Sequence, residues 1–184
     1  MLTLKLSTVA IALGLLCGAP YIYGVVQPVK FQKFAQRFPR NTPLGCLFML
    51  IATAWFLYNL SQEQIADFTN FKHALYVLFA AVGIGSCIFV QDFLAVRGLS
   101  VLFLLAAKTM CDTARLFESD WRLVVIIWAY LWIIAGMWFT ISPWRMRDFI
   151  EWATATAGRT RAWSAFRAAA AILLLALGFT VFRV

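Results

Sequence analysis

The stretch GLSVLFLLAAKTMCDTARLF, residues 98–117, is apolar enough to cross a bilayer, yet it carries three charges, and the number of transmembrane helices depends on whether it crosses. A helix needs about 20 mostly apolar residues to cross a hydrocarbon core of about 30 Å. Lys108, Asp112 and Arg115 are spaced by four and three residues, which places them on one face of a helix. Whether this segment crosses the membrane depends on charges elsewhere in the chain.

The composition indicates a membrane protein. Of the 184 residues, 63% are hydrophobic and 13% charged, and the mean hydropathy is +0.82. That leaves too little polar surface to coat a water-soluble domain. We predict an all-α polytopic membrane protein with a single domain, 1–184, and no outer-membrane barrel, because no segment alternates apolar and polar residues as barrel strands do. Its six predicted transmembrane helices cover 6–26, 44–60, 74–90, 98–117, 123–142 and 164–182.

Positive charge predicts the orientation. The loop 29–43 and the segment from 143 to the sixth span are both rich in Lys and Arg, so both are expected on the cytoplasmic side. Two loops share a side only if an even number of spans separates them. Four apolar segments lie between these two loops, so the charged segment 98–117 is expected to cross the membrane like the other three. We expect the inner membrane of a bacterium, with both termini outside. A nucleic-acid role has little support, because the basic residues flank membrane helices.

Each basic segment opens with a proline, which a first helical turn accepts. We predict two short amphipathic helices, 28–41 and 143–157, lying in the headgroup layer with their cations toward anionic lipid headgroups. The predicted lipid-interface residues are Lys30, Lys33, Arg37, Arg40, Arg145 and Arg147.

The two basic segments also align with each other. QPVKFQKFAQRF begins at Gln27 and SPWRMRDFIEWA begins at Ser142. This match suggests a parallel hairpin repeat, 6–60 and 123–182. Duplication and chance explain it about equally well, since the aligned segments are only about a dozen residues long.

Small residues recur every four positions on two spans. They are Ala10, Gly14 and Gly18 on the first span, and Ala81 and Gly85 on the third. This spacing lets helix backbones approach closely in lipid and predicts helix-packing faces. The contact is either with the chain's own helices or with a partner.

The charge cluster of Lys108, Asp112 and Arg115 has three readings. If the fourth helix starts near Gly98, Lys108 lies about 15 Å along it, close to mid-membrane. The cluster is then a salt bridge that orients the helix toward the bundle interior, a contact between subunits, or part of an ion or proton pathway.

Enzyme signatures are not found. The sequence has one histidine, and its four cysteines lack metal-ligand spacing. It also lacks a phosphate loop and a dinucleotide motif. We therefore predict no enzyme activity, catalytic residue, metal or cofactor. We expect a structural or assembly subunit of a larger membrane complex, or a homo-oligomeric scaffold. Its expected partners are the lipid bilayer and either other membrane subunits or further copies of this chain. The alternative is a small transporter or ion or proton channel that uses the charged face of the fourth helix.

Overall fold

The computed structural model describes residues 5–62 and 71–183, and the side chains of that part up to Phe182. Its structure is all-helical, at 89% helix, with no strand in the described ranges. Six helices are long and apolar enough to cross a membrane, which confirms the predicted all-α structure and the number of candidate spans. They are α1 (Leu6–Val26), α3 (Thr42–Gln62), α4 (Lys72–Phe89), α5 (Leu94–Arg115), α6 (Arg122–Ile141) and α8 (Ala157–Phe179). The shorter helices are α2 (Pro28–Arg37) and α7 (Pro143–Ala153), and single 3-10 turns cover Phe38–Arg40 and Val181–Arg183.

The outer surface of the bundle is apolar. Leu16 is 74% exposed, Ile141 77% and Phe89 84%. A soluble monomer rarely exposes such large apolar patches, whereas a bilayer solvates them. The six long helices and this surface together indicate a membrane location.

The chain's first and last long helices, α1 and α8, form the closest pair. A methyl group added to Gly14 would lie 2.6 Å from Cγ of Leu175 and 3.0 Å from the carbonyl oxygen of Ala171. At Gly18 it would lie 3.1 Å from Cβ of Ala171, and Ala10 is fully buried. The small residues of α1 therefore let the backbones of α1 and α8 approach closely.

Helix α5 packs between α3 and α6. A methyl group on Gly45 of α3 would lie 2.6 Å from the backbone nitrogen of Ala95, and one on Gly98 would lie 2.9 Å from the nitrogen of Met49. On the other side, a methyl group on Gly136 of α6 would lie 2.9 Å from Cγ of Leu104. The main hydrophobic core lies among α1, α5, α6 and α8, and α4 packs mainly on α3.

Two helices begin four or more residues earlier than predicted. Helix α5 begins at Leu94, where Leu94, Ala95 and Val96 are buried close to the start of α3. Helix α8 begins at Ala157 because the Thr156 side chain accepts a hydrogen bond from the Arg159 amide and so caps its first turn. The predicted short helix 143–157 ends accordingly at Ala153.

The two short helices lie at the same end of the bundle. The Gln32 side chain of α2 donates a hydrogen bond from Nε2 to Oγ1 of Thr160 on α8, at 2.9 Å. Nε2 of Gln36 donates to Oγ1 of Thr154, directly after α7, at 3.2 Å. These bonds bring the two basic segments side by side, as an even number of intervening spans requires.

Candidate functional site

Lys108 and Asp112 form an ion pair along α5. Nζ of Lys108 donates to Oδ2 of Asp112 at 2.9 Å, one helical turn away. The two side chains are 50% and 54% exposed, respectively. The pair therefore lies on the outward surface of the helix.

The interpretation in which the Lys108–Asp112 salt bridge faces the bundle interior is wrong. Ala107, Met110 and Ala114 are fully buried, and they form the face of α5 that packs into the core. Because they occupy the inward positions, Lys108 and Asp112 are rotated away from the other helices.

The early start of α5 also changes the depth of the pair. Counted from Leu94, Lys108 lies about 21 Å along a helix of about 33 Å, by the 1.5 Å rise per residue. It thus lies about 5 Å beyond the middle of α5, toward the C-terminal end of the helix. A lysine there can extend its amine toward the headgroup layer.

Arg115 is separate from this pair. It is the last residue of α5 and is exposed. Within residues 5–62 and 71–183, its guanidinium forms no ion pair with Asp112 or Glu118. The predicted three-residue cluster is therefore an ion pair with an arginine near the helix end.

The cations of α2 line an open cavity of about 300 Å³. Its lining consists of Lys30, Lys33, Phe34, Arg37, Phe38 and Asn41, and Arg40 is exposed just beyond. The apolar side of α2 is largely used within the protein, since Phe31 packs on Tyr21 of α1 and Phe38 on Phe48 of α3, with ring centroids 6.0 and 6.1 Å apart. Phe34 remains 59% exposed.

Helix α7 carries acids beside its cations. Nη2 of Arg147 donates to Oδ1 of Asp148 at 2.8 Å, and its Nε lies 3.8 Å from Oε1 of Glu151. The hydrogen bond to Asp148, followed by the charge of that carboxylate, raises the pKa of Arg147 above its ordinary value. Arg145 is exposed. The second basic segment is therefore less positive than the first.

The small residues of α4 are placed differently from those of α1. Ala81 is exposed, and a methyl group on Gly85 would meet only Phe89 of its own helix, at 3.9 Å. The close contact with α3 is made instead by Gly83, which packs on the Thr53 side chain. Gly83 lies outside the period-four pattern of Ala81 and Gly85, because the residue four positions before it is Phe79.

Sequence reasoning also missed the position of Arg167. It falls near the start of the predicted sixth helix, 164–182, but in the structure it lies ten residues into α8. Its Cζ is 5.2 Å from the ring centre of Tyr21 and 6.0 Å from that of Trp128.

The cysteines and the histidine form no metal site in the part of the chain that the structure describes. No group of three or more His, Cys, Asp or Glu side chains occurs there. His73 is exposed near the start of α4. Cys46 of α3 and Cys87 of α4 face each other, with each Sγ 3.9 Å from the other residue's carbonyl oxygen, a pairing that sequence spacing did not predict.

No protein-family model, curated protein or solved structure matches this chain. The function proposed below therefore rests on its own residues.

Proposed function

We propose that this chain is a non-catalytic membrane protein that acts as a structural or assembly subunit of a larger membrane complex, or as a homo-oligomeric scaffold. The observation that carries this proposal is the half-exposed ion pair of Lys108 and Asp112 on the outward surface of α5.

The position of the pair gives the physical reason. A charged side chain facing lipid within a spanning helix is unfavourable by about 3 kcal/mol on insertion scales. Pairing the two charges lowers this free energy, and a polar side chain from a neighbouring helix would lower it further by hydrogen bonding to the pair. An unlike subunit that presents a polar residue at this depth is the occupant we favour.

Helix α4 supplies a second contact surface for such a partner. It packs mainly on α3, and its exposed Ala81 and partly exposed Gly85 leave a shallow strip where another helix can approach. Small residues at this spacing stabilise helix association in lipid through dispersion. Ala81 and Gly85 remain predicted contact residues for the partner.

The cations at one end of the bundle support the proposed orientation of the chain in the membrane. The cations of α2 and α7 lie at one end, where α2 and the α7–α8 junction are hydrogen-bonded to each other. Positive residues favour the cytoplasmic side and anionic headgroups. We therefore propose that both termini lie outside, with α2 and α7 at the inner headgroup layer of a bacterial inner membrane.

Transport, the alternative function, has less support from this charged face. A transport pathway would run through the interior of the bundle, whereas the Lys108 and Asp112 side chains point away from it. In the described ranges, the other carboxylates belong to connecting segments or to α7: Asp92, Glu118, Asp120, Asp148 and Glu151.

The test is a double substitution, Lys108→Met with Asp112→Leu, which replaces the pair by apolar side chains of similar length. We expect the variant to insert and fold but to lose at least tenfold of its association with the complex, measured by co-purification from its own membranes. Arg147→Gln with Asp148→Asn is the matched control, because it removes an exposed ion pair outside the long helices. Unchanged association of the Lys108–Asp112 variant would overturn the proposal.

A further inference from the structure

Arg167 is a cation inside a long apolar helix. It lies ten residues beyond Ala157, which is about 15 Å along α8. Helix α8 is long and apolar enough to span the membrane, so this position is far from either end. A single arginine at such a depth is unfavourable by about 3 kcal/mol on insertion scales, and its surroundings must compensate.

Two aromatic rings provide part of the compensation. The guanidinium of Arg167 lies against Tyr21 of α1 and Trp128 of α6. Each such cation–π contact contributes about 0.5–2 kcal/mol. The rings interact with the charge, however, and leave the N–H groups of the guanidinium unused.

The N–H donors at this place lack protein acceptors. Across residues 5–62 and 71–182, Arg167 forms no ion pair, and its guanidinium donates to no side-chain or backbone oxygen. Nε1 of Trp128 is buried and likewise has no acceptor among these residues. The Trp128 N–H is thus a buried donor without an acceptor, which is unfavourable, and it belongs to a ring that the Arg167 guanidinium contacts.

The packing of the helices leaves these donors at a boundary. Helix α8 packs along α1, and α6 packs along α5. Arg167 and Trp128 meet where these two pairs adjoin, and the guanidinium is not among the fully buried groups. The Arg167 side chain is partly exposed, so a molecule dissolved in the bilayer can approach its guanidinium.

We propose that Arg167 and Trp128 bind the oxyanion of a membrane-soluble amphiphile, a phosphate or carboxylate group carried on an acyl chain. Arginine supplies the charge and a planar fork of donors that matches both oxyanions. The indole N–H of Trp128 supplies a further donor from the facing helix, and the acyl chain remains in the surrounding lipid. This site lies on other helices than the Lys108–Asp112 pair, so it is independent of the assembly role.

The experiment measures retained lipid by native mass spectrometry of the full chain released from nanodiscs. One set of phosphatidylcholine nanodiscs contains phosphatidylglycerol, and another contains oleate. We expect the wild type to retain one anionic molecule in at least one set, which identifies the source as a phospholipid or a free acid. Arg167→Gln should reduce this occupancy at least tenfold, and Trp128→Phe, which keeps the ring but removes the N–H, should reduce it severalfold.

Arg161→Gln is the matched control, since Arg161 is an exposed arginine on the same helix. This variant should retain as much of the anionic molecule as the wild type does. If Arg167→Gln does not fold, Trp128→Phe decides the question, with its thermal unfolding checked against the wild type. Equal occupancy in the wild type and the folded variants, or retention of phosphatidylcholine alone, would overturn the proposal.

Discussion

Gln32 and Thr160 are 128 residues apart in sequence, yet Nε2 of Gln32 donates a 2.9 Å hydrogen bond to Oγ1 of Thr160. Thr160 is almost fully buried, and its hydroxyl in turn donates to the carbonyl oxygen of Thr156 at 2.9 Å. This chain of bonds attaches α2 to the first turn of α8. It fixes the two basic segments at one end of the bundle, on which the proposed orientation depends.

Thr160→Val should destabilise the protein by about 1–2 kcal/mol, because the valine keeps the shape but leaves the Gln32 amide without its buried acceptor. The free energy of unfolding in a detergent–SDS titration measures this change. Thr113→Val is the control, since the Thr113 hydroxyl bonds only to backbone oxygens of its own helix. Equal effects of the two substitutions would contradict a specific bond between α2 and α8.

Gly14→Ala should destabilise the bundle by about 1–3 kcal/mol, because the added methyl group would overlap the Leu175 side chain across the α1–α8 contact. Gly158→Ala is the matched control on α8, where an added methyl group meets no atom within 4 Å. The same unfolding titration should show no loss of stability for the control. A neutral Gly14→Ala would show that α1 and α8 are not packed as described.

Gly83→Ala and Gly85→Ala separate two faces of α4. At Gly83 the methyl group would overlap the Thr53 side chain and should destabilise the fold by about 1–3 kcal/mol, whereas at Gly85 it meets only open space and Phe89. Unfolding of the isolated chain in detergent tests this pair. A larger effect at Gly85 than at Gly83 would mean that the period-four pattern had identified the contact between α3 and α4 after all.

Sidedness can be tested with single cysteines in a variant that lacks Cys17, Cys46, Cys87 and Cys111. Lys33→Cys on α2 and Arg159→Cys on α8 should react with an impermeant maleimide from the same side of intact vesicles, because hydrogen bonds hold their segments together. Ser119→Cys, in the connection between α5 and α6, should react only from the other side. Labelling of the first two from opposite sides would contradict the placement of both basic segments at one membrane face.

The fold was predictable because hydropathy is a strong and local signal. Six apolar segments of membrane-spanning length predicted six long helices, and prolines 28 and 143 predicted where two shorter helices begin. Helix starts were less predictable. At α5 and α8 they depend on the packing of Leu94 against α3 and on the Thr156 cap, and neither follows from average hydropathy.

The sequence predicted which charged residues lie one helical turn apart, but not whether they face the core or the outer surface. The four-residue interval gave the Lys108–Asp112 pair, but the rotation of α5 depends on which side chains reach the core, and Ala107 and Ala114 occupy those positions. Arg167 lies inside the predicted sixth helix, 164–182, but its depth was not predicted, because α8 begins seven residues earlier, at Ala157. Its contacts with Tyr21 and Trp128 involve three helices that are far apart in sequence.

The most direct test of the assembly role is the native mass of the wild-type protein, extracted in lipid nanodiscs from its own membranes. Our account predicts a particle that contains more protein than one chain of 20.8 kDa, either with unlike subunits or as several copies. It also predicts that the Lys108→Met, Asp112→Leu variant is folded but smaller. A wild-type protein recovered only as a single chain would contradict the account.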